Sequence, residues 1–451
     1  MRNRRLGLAL THLMYNLRGG FLVRPLLIAL SLGAVGAGLS TLEEGHPRMS
    51  TWVPALLFPS NEDPQTAQLI LSSIATSMMT VVSIVFAILL MTLTLASMQF
   101  SPRIIVTFVG DRVTQQTLGI FLGTFLYCLA ALPAARTLPA PFSPVLTVLG
   151  AMGLAVACVG WLLYFINHIS QAISVNHIVD RLARETEAMI DGMMPKRRGT
   201  GPAPVLVPDE PGPWEAPVLG TVSGYVRTID TGELLRVAKA NRLRVRILRR
   251  VGHFVPAGVP LLTVSKGQRL TPELGQELHR AFQFGPTRTL EQDIEYGILQ
   301  IVDIALKAIS PAVNDPSTAV SCVDQLSSIL IRFASRSTPP TQLFDPPGTL
   351  RVSVSYLGFD RLAESAFEQI RTYSRTDVAV SLRLMRAFTD IAWTLPEGPD
   401  RHLLAELGRR LVAGFNEVPG EDELKELRHR LGALENLARL ATDSHQPENF
   451  H

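Results

Sequence analysis

Four polar side chains in the second half of the sequence have the chemistry to bind a cation or a small polar ligand. Carboxylate and amide oxygens are the ligands that magnesium and calcium ions prefer in proteins. The spacing of these residues matches no ligand loop that we can name, so the sequence predicts a possible ligand or ion site without defining a metal centre. The residues are Asp293, Asp303, Asn314 and Asp315.

The phrase AISPAVNDPSTA (308–319) also has a structural interpretation, as the junction between two helices. Aspartate accepts hydrogen bonds from the free N–H groups at the start of a helix, and proline suits the first helical position. The same pattern, DPxTA, occurs at Asp63 before a long apolar segment. The repetition favours helix capping at Asp315, and the ligand or ion site is the alternative.

A second polar pattern lies inside that apolar segment. No charged residue occurs between Asp63 and Arg103, a run of 39 residues. As an α-helix this run would be about 58 Å long, against a hydrocarbon core of about 30 Å. Residues taken from Ser73 in alternate steps of three and four lie on one face of this helix. A seven-residue repeat of this kind keeps one face of a helix against its neighbours in a bundle. We call this set the hydroxyl stripe: Ser73, Thr76, Thr80, Ser83, Ala87, Leu90, Thr94 and Ser97.

The hydroxyl stripe has two interpretations. Small residues let helices approach closely, so the stripe could pack within one subunit. Alternatively, several copies around an axis would turn it toward a pore, where a weakly polar constriction can gate by dewetting. On the second interpretation the stripe residues line the pore, and Arg103 and Arg112 lie at its cytoplasmic mouth, where they favour anions.

Four apolar segments are long enough to span a bilayer, at about 21–42, 67–100, 117–135 and 142–170. Lysine and arginine concentrate in the segments that flank them on one side, which predicts that both termini face the cytoplasm. We therefore expect a multi-pass protein of the bacterial cytoplasmic (inner) membrane. The flanking cations are Arg2, Arg4, Arg5, Arg18, Arg103, Arg112, Arg181, Arg184, Lys196, Arg197 and Arg198.

The rest of the chain has the composition of a soluble region. The predicted fold is a polytopic α-helical membrane domain of four spans, followed by a cytoplasmic α+β region with a small β-barrel or barrel-sandwich-like module and amphipathic helices. The predicted parts are the membrane domain (1–172), a helical extension and linker (173–213), the β module (214–268) and a mainly helical domain (269–451). Three cysteines far apart in the sequence support neither a disulfide framework nor a zinc site.

Three phrases resemble the recurring stretches of a widespread bacterial family of predicted membrane proteins of unknown function. They are ASMQFSPRIIVTFVGDRVTQQTLGIFLGTFLY (96–127), SGYVRTIDTGELLRVAKA (223–240) and GILQIVDIALKAISPAVNDPSTA (297–319). The resemblance covers nearly the whole chain. It implies four spans and a cytoplasmic C-terminal region of unassigned activity, and it supplies no catalytic residues.

The leading functional hypothesis is a homo-oligomeric ion channel or pore, lined by the second span, with the cytoplasmic region as vestibule or sensor. The alternative is a non-conducting, membrane-anchored sensor or scaffold whose cytoplasmic region binds a partner or small ligand. An enzyme is not expected, because the sequence lacks G-x-S-x-G, H-E-x-x-H and phosphate-loop motifs. The expected partners are the lipid bilayer and further copies of the chain. We expect no cofactor and no nucleic acid, and the permeant ion is unspecified.

Overall fold

The computed structural model describes residues 23–46, 63–99, 111–136, 142–172, 174–196, 214–345, 348–415 and 421–439. The chain divides into two compact units, residues 1–174 and 175–451. The two units are described separately.

The N-terminal unit contains four long helices. Each is long and apolar enough to cross a membrane. The four predicted spans are therefore confirmed, with ends that differ from the predicted ones by a few residues. The helices are α1 (Val23–Gly45), α2 (Pro64–Gln99), α3 (Arg112–Ala131) and α4 (Val145–Ala172), and a short 3-10 helix (Leu132–Ala134) follows α3.

Glycines bring α1 and α3 into close contact. A Cβ added at Gly36 of α1 would lie 2.7 Å from the backbone oxygen of Tyr127 on α3. A Cβ at Gly123 of α3 would lie 2.5 Å from Leu32 Cδ1 on α1. Small residues serve in this way where membrane helices pack, because the backbones can then approach each other.

Polar side chains connect α3 to α4 along their length. Each pair joins one residue of α3, or its N-cap, to one residue of α4, and hydroxyls placed in this way satisfy their hydrogen bonds inside the bundle. The pairs are Asp111–His168 (Oδ2 to Nε2, 3.1 Å), Thr117–Trp161 (Oγ1 to Nε1, 2.9 Å) and Thr124–Cys158 (Oγ1 to Sγ, 3.3 Å).

A buried carboxylate at the end of α1 caps the start of α4. Glu43 is only 1% exposed. Its Oε1 accepts a hydrogen bond from the Leu146 N–H at 2.8 Å, and its Oε2 accepts from the N–H of Thr147 at 3.1 Å and from its hydroxyl at 3.0 Å. The first N–H groups of a helix have no partner within the helix, and negative charge is favourable there. Glu43 therefore joins α1 to α4 and satisfies the first turn of α4.

The C-terminal unit contains two β-sheets that share one apolar core. The five-stranded sheet has the order β1-β5-β3-β8-β7, and the three-stranded sheet has the order β4-β2-β6. The strands are β1 (Trp214–Leu219), β2 (Gly224–Ile229), β3 (Val245–Ile247), β4 (Phe254–Val255), β5 (Pro260–Ser265), β6 (Phe282–Gly285), β7 (Gln342–Asp345) and β8 (Thr349–Ser353).

The two sheets extend beyond the segment in which a β module was predicted. Strands β6, β7 and β8 come from the part of the chain predicted to be mainly helical. Strands β6 and β8 pair with strands of residues 214–268, and β7 pairs with β8. Pairing between strands distant in sequence cannot be read from local patterns. The α+β character is confirmed, and closure of the sheets into a barrel stays a prediction.

Nine described helices complete the C-terminal unit. Helix α5 packs against α8 and α9, and α11 packs against α9 and α13. Asp191 of α5 forms ion pairs with Arg332 and Arg336 at the end of α9. The helices are α5 (Val175–Met193), α6 (Thr231–Ala240), α7 (Pro272–Arg280), α8 (Ile294–Ala308), α9 (Pro316–Ala334), α10 (Phe359–Tyr373), α11 (Val378–Thr394), α12 (Pro399–Phe415) and α13 (Glu421–Arg439).

The contact between α1 and α3 gives a test of the bundle. We expect Gly36→Ala to destabilise the detergent-solubilised protein by about 1–3 kcal/mol, because the new Cβ meets backbone that cannot rotate away. Gly38→Ala on the same helix is the matched control, since a Cβ there has nothing within 4 Å. The stabilities of the two variants are compared by thermal unfolding. Equal stability of the two would contradict the close approach.

Candidate functional site

Helix α2 packs against the bundle through a seam of buried residues. These residues recur every seventh position, and three of them, Leu71, Met78 and Val85, belong to two apolar clusters that α2 forms with α3 and α4. A strict seven-residue repeat keeps the same face of a helix against its neighbours. We call this set the buried seam: Pro64, Leu71, Met78, Val85 and Thr92.

The hydroxyl stripe lies on the opposite side of α2 from the buried seam. At about 100° per residue, Thr76 and Thr80 lie about 160° and 200° around the helix from Met78. All seven stripe residues whose side chains the structure describes, from Ser73 to Thr94, are exposed in the single chain. The stripe therefore points away from the other three helices, toward either lipid or a second copy.

The stripe hydroxyls bond to their own helix. Four of them donate to the carbonyl four residues earlier, a common arrangement for serine and threonine in membrane helices. The lone pairs of the hydroxyl oxygens remain available as acceptors. The bonds run from Thr76 to Ser72 (2.8 Å), Thr80 to Thr76 (3.1 Å), Ser83 to Met79 (3.0 Å) and Thr94 to Leu90 (2.8 Å).

The interpretation of the stripe as packing within one subunit does not match this geometry. On α3, in contrast, Thr117 and Thr124 are fully buried and pair with side chains of α4. The same bundle thus uses hydroxyls for internal packing on α3 but leaves those of the stripe on its outer surface.

Three predicted pore residues fall at or beyond the limits of the described structure. Ser97 lies in α2, but its side chain is outside the described set, and Arg103 lies outside the described residues altogether. Arg112 is the first residue of α3, and it is exposed.

The structure shows Asp315 as the N-cap of α9. Its Oδ1 accepts hydrogen bonds from the Ser317 hydroxyl at 2.6 Å and the Thr318 N–H at 3.2 Å, and its Oδ2 accepts from the Thr318 hydroxyl at 2.6 Å. These bonds from Ser317 and then Thr318 hold the pKa of Asp315 below its usual value. The side chain is occupied by its own helix start, as the capping interpretation predicts.

The same device begins two of the membrane helices. Asp63 accepts from the Thr66 hydroxyl at 2.6 Å, and Asp111 accepts from the Thr114 N–H at 2.9 Å and hydroxyl at 2.8 Å. The shared pattern is aspartate followed three residues later by threonine. The DPxTA phrase identified two of these caps, and the signal for the third, D-R-V-T at residues 111–114, was missed.

Asp293 is the N-cap of α8 and the centre of an ion-pair cluster. Its Oδ1 accepts from the Tyr296 N–H at 3.0 Å, and Arg288 binds both carboxylate oxygens at 2.7 Å. Arg288 also donates to Glu295 at 2.9 Å. Burial by itself would raise the pKa of Glu295, but the bond from Arg288 and the charge of Arg250 outweigh it and lower the pKa. Sequence patterns did not indicate this cluster: Arg288 lies in the loop just before α8, at a spacing that marks no helical face, and Arg250 is distant in sequence.

The four residues of the possible ion site do not come together as one cluster. Asp293 and Asp303 are ten residues apart on α8, which separates them by about 15 Å along the helix. Asn314 has a left-handed backbone (φ 49°) in the turn before α9. Within the described residues, no group of three His, Cys, Asp or Glu side chains could hold a metal ion. Asp293 and Asp315 cap two different helices, and a ligand or ion site at these residues stays a prediction.

Comparison with known proteins agrees with the bundle. A family model described as "Predicted membrane protein (DUF2254)" matches residues 18–390. The chain belongs to this family of predicted membrane proteins. Uncharacterized protein Rv1290c of Mycobacterium tuberculosis and uncharacterized protein Mb1321c of Mycobacterium bovis are each 32% identical over 415 residues, or 90% of this chain and 78% of the relative. No solved structure matches the chain significantly.

Asp315 offers a test that separates capping from ion binding. We expect Asp315→Ala to speed amide hydrogen exchange in the first turns of α9 about fivefold, because the cap is worth about 1 kcal/mol. Asp315→Asn is expected to exchange like the wild type, since asparagine caps equally well. The measurement uses the full chain in detergent at neutral pH.

The pH dependence of this exchange follows from the lowered pKa of Asp315. The cap stabilises fully above the unfolded pKa of about 3.9 and loses this effect as pH falls through the lower folded pKa. The difference in amide exchange rate between wild type and Asp315→Ala should therefore disappear at acidic pH. Protection of wild type by added magnesium, but not of Asp315→Asn, would instead support an ion site.

Proposed function

We propose that the chain assembles as a cyclic homo-oligomer in the bacterial cytoplasmic membrane and that the hydroxyl stripe of α2 lines an ion-conducting pore. One observation carries this proposal: the stripe lies opposite the buried seam and is exposed along its described length. In an isolated subunit this polar face would meet acyl chains. In a ring of copies it would face the axis, where the free hydroxyl lone pairs meet water or a neighbouring helix.

The stripe suggests a narrow pore of weak selectivity. Its described members carry no charge, and Ala87 and Leu90 place apolar side chains within it. Apolar constrictions of this type gate by dewetting. Selection between anions and cations would then occur at the ends of the pore. Arg103 and Arg112 would favour anions at the cytoplasmic end.

The distribution of basic residues supports the orientation of this pore. Arginine and lysine are concentrated in the segments before the first span, between the second and third, and after the fourth. We therefore place both termini and the C-terminal unit in the cytoplasm. The unit would serve as a vestibule or sensor for the pore.

A second candidate function is a membrane-anchored sensor or scaffold that does not conduct. One observation favours it: residues 175–451 form a compact unit with its own core and a cavity that is described below. The spans would then supply anchoring and assembly only. The two functions differ in whether water reaches the stripe.

Cysteine accessibility tests for water at the stripe. We expect Thr80→Cys and Ser83→Cys to react with a charged, membrane-impermeant thiol reagent, because a pore exposes both to water. Ile84→Cys and Phe86→Cys are the controls, since Ile84 and Phe86 are exposed on the flanks of the same helix but are expected to face lipid or the subunit contact. Labelling is measured by mass spectrometry on the protein in proteoliposomes.

The native cysteines give this experiment a low background. All three are buried and free, and burial raises the pKa of the Cys322 thiol well above its usual value. Reaction rates at least about tenfold higher at the two stripe positions than at the flanks would support the pore. Equal protection at all four positions would rule out a water-filled stripe and favour the scaffold.

A further inference from the structure

A cavity of about 200 Å³ lies in the C-terminal unit, between the β-sheets and the helices. In other proteins an apolar cavity of about 150 Å³ can hold a benzene molecule, and this cavity is larger. A ligand group of about six to eight carbon atoms therefore fits it. Most of its wall is apolar, including Met194, Ile247, Ile294, Phe333, Val354 and Leu362.

Two polar side chains in the wall, Gln292 and Asp293, already have partners. The side-chain oxygen of Gln292 accepts from the Ile229 N–H at 3.0 Å. Asp293 is held by Arg288 and by the start of α8. Tyr356 keeps its phenolic proton, because burial raises its pKa. These groups shape the cavity, and the Tyr356 hydroxyl remains a donor.

Arg250 is the cation in the lining, and it has spare hydrogen-bonding capacity. A guanidinium has five N–H donors. Among the described residues, its side chain makes one hydrogen bond, of 3.5 Å, to Glu295 Oε2. Arg288 already binds that oxygen at 2.9 Å. A contact of 3.5 Å is at the limit for a hydrogen bond. Arg250 can therefore accept a better anionic partner without leaving Glu295 unpaired.

Arg250 is the weakly paired cation in the cavity wall. Arg288 binds both Asp293 and Glu295, at 2.7 and 2.9 Å. The contact of Arg250 with Glu295 is longer, at 3.5 Å. A guanidinium can bind a single carboxylate through two parallel hydrogen bonds, which are stronger than such a contact.

We propose that this cavity is a binding site for a small monocarboxylic acid with an apolar body. The carboxylate pairs with Arg250 and accepts from the Tyr356 hydroxyl, and the hydrocarbon part packs against Met194, Phe333 and Val354. The site lies within the C-terminal unit, so it does not depend on whether the membrane helices conduct.

Hexanoate is the probe for this site, and its uncharged analogue hexanamide is the comparison. Binding is measured by saturation-transfer NMR on the full chain in lipid nanodiscs, with empty nanodiscs subtracted. We expect saturable binding of hexanoate and at least about tenfold weaker binding of hexanamide, because the amide cannot form the ion pair.

Three variants locate the bound hexanoate. Arg250→Gln should weaken its binding about tenfold, and Arg250→Lys should restore part of the affinity, because the charge returns without the bidentate geometry. Val354→Phe should abolish binding by filling the cavity. Arg386→Gln is the matched control, since Arg386 forms an exposed ion pair on α11 and does not line the cavity.

Three results would contradict the proposed binding site. Absence of saturable hexanoate binding, equal binding of hexanamide by the wild type, or full retention of hexanoate by Val354→Phe each contradicts it. The comparison of hexanoate with hexanamide uses the wild type only. It therefore decides the question even if a variant fails to fold, as checked by its melting temperature.

Discussion

The arrangement of the membrane helices depends on the seven-residue repeat by which α2 packs against the bundle. The buried seam uses one face of a helix of 36 residues and fixes its rotation. Because that rotation is fixed, the opposite face, which carries the hydroxyl stripe, cannot turn toward α3 or α4. The exposure of the stripe is thus a consequence of the seam. The seam thus leaves a regular polar face outside the subunit, which is the face that the proposed pore would use.

Satisfaction of backbone N–H groups explains where acidic side chains occur around the helix ends. Asp63, Asp111 and Asp315 each cap a helix in the same way, and Glu43 caps α4 from a neighbouring helix. A helix start without such a partner is costly away from water. Acidic residues that suggested chemistry in the sequence therefore mostly serve the fold. Arg250 differs, because its side chain lines a cavity while making one long hydrogen bond.

Local patterns predicted the parts of this protein that depend on local physics. Apolar length identified the spans, and the Asp-Pro phrase identified the start of α9, because both signals are contiguous in the sequence. A strand was predicted at Leu350–Tyr356, where β8 lies, but the pairing of β6 with β2 and of β8 with β3 escaped, since each joins segments far apart in the chain. The same reason hid the cap formed by Glu43 and the contact of Arg250 with Glu295, whose partners are distant in sequence. The exposure of the stripe required knowledge of which face α2 buries.

The most direct test of a pore at the stripe is electrical. Purified wild type, Thr80→Trp and Ile84→Trp would be recorded in planar lipid bilayers, with the oligomeric state of each verified. Our account predicts discrete current steps for the wild type and for Ile84→Trp, and smaller or absent steps for Thr80→Trp, because a bulky side chain on the stripe obstructs the path. Currents that Thr80→Trp leaves unchanged, or silence of an intact wild-type oligomer across voltage, tension and pH, would contradict it.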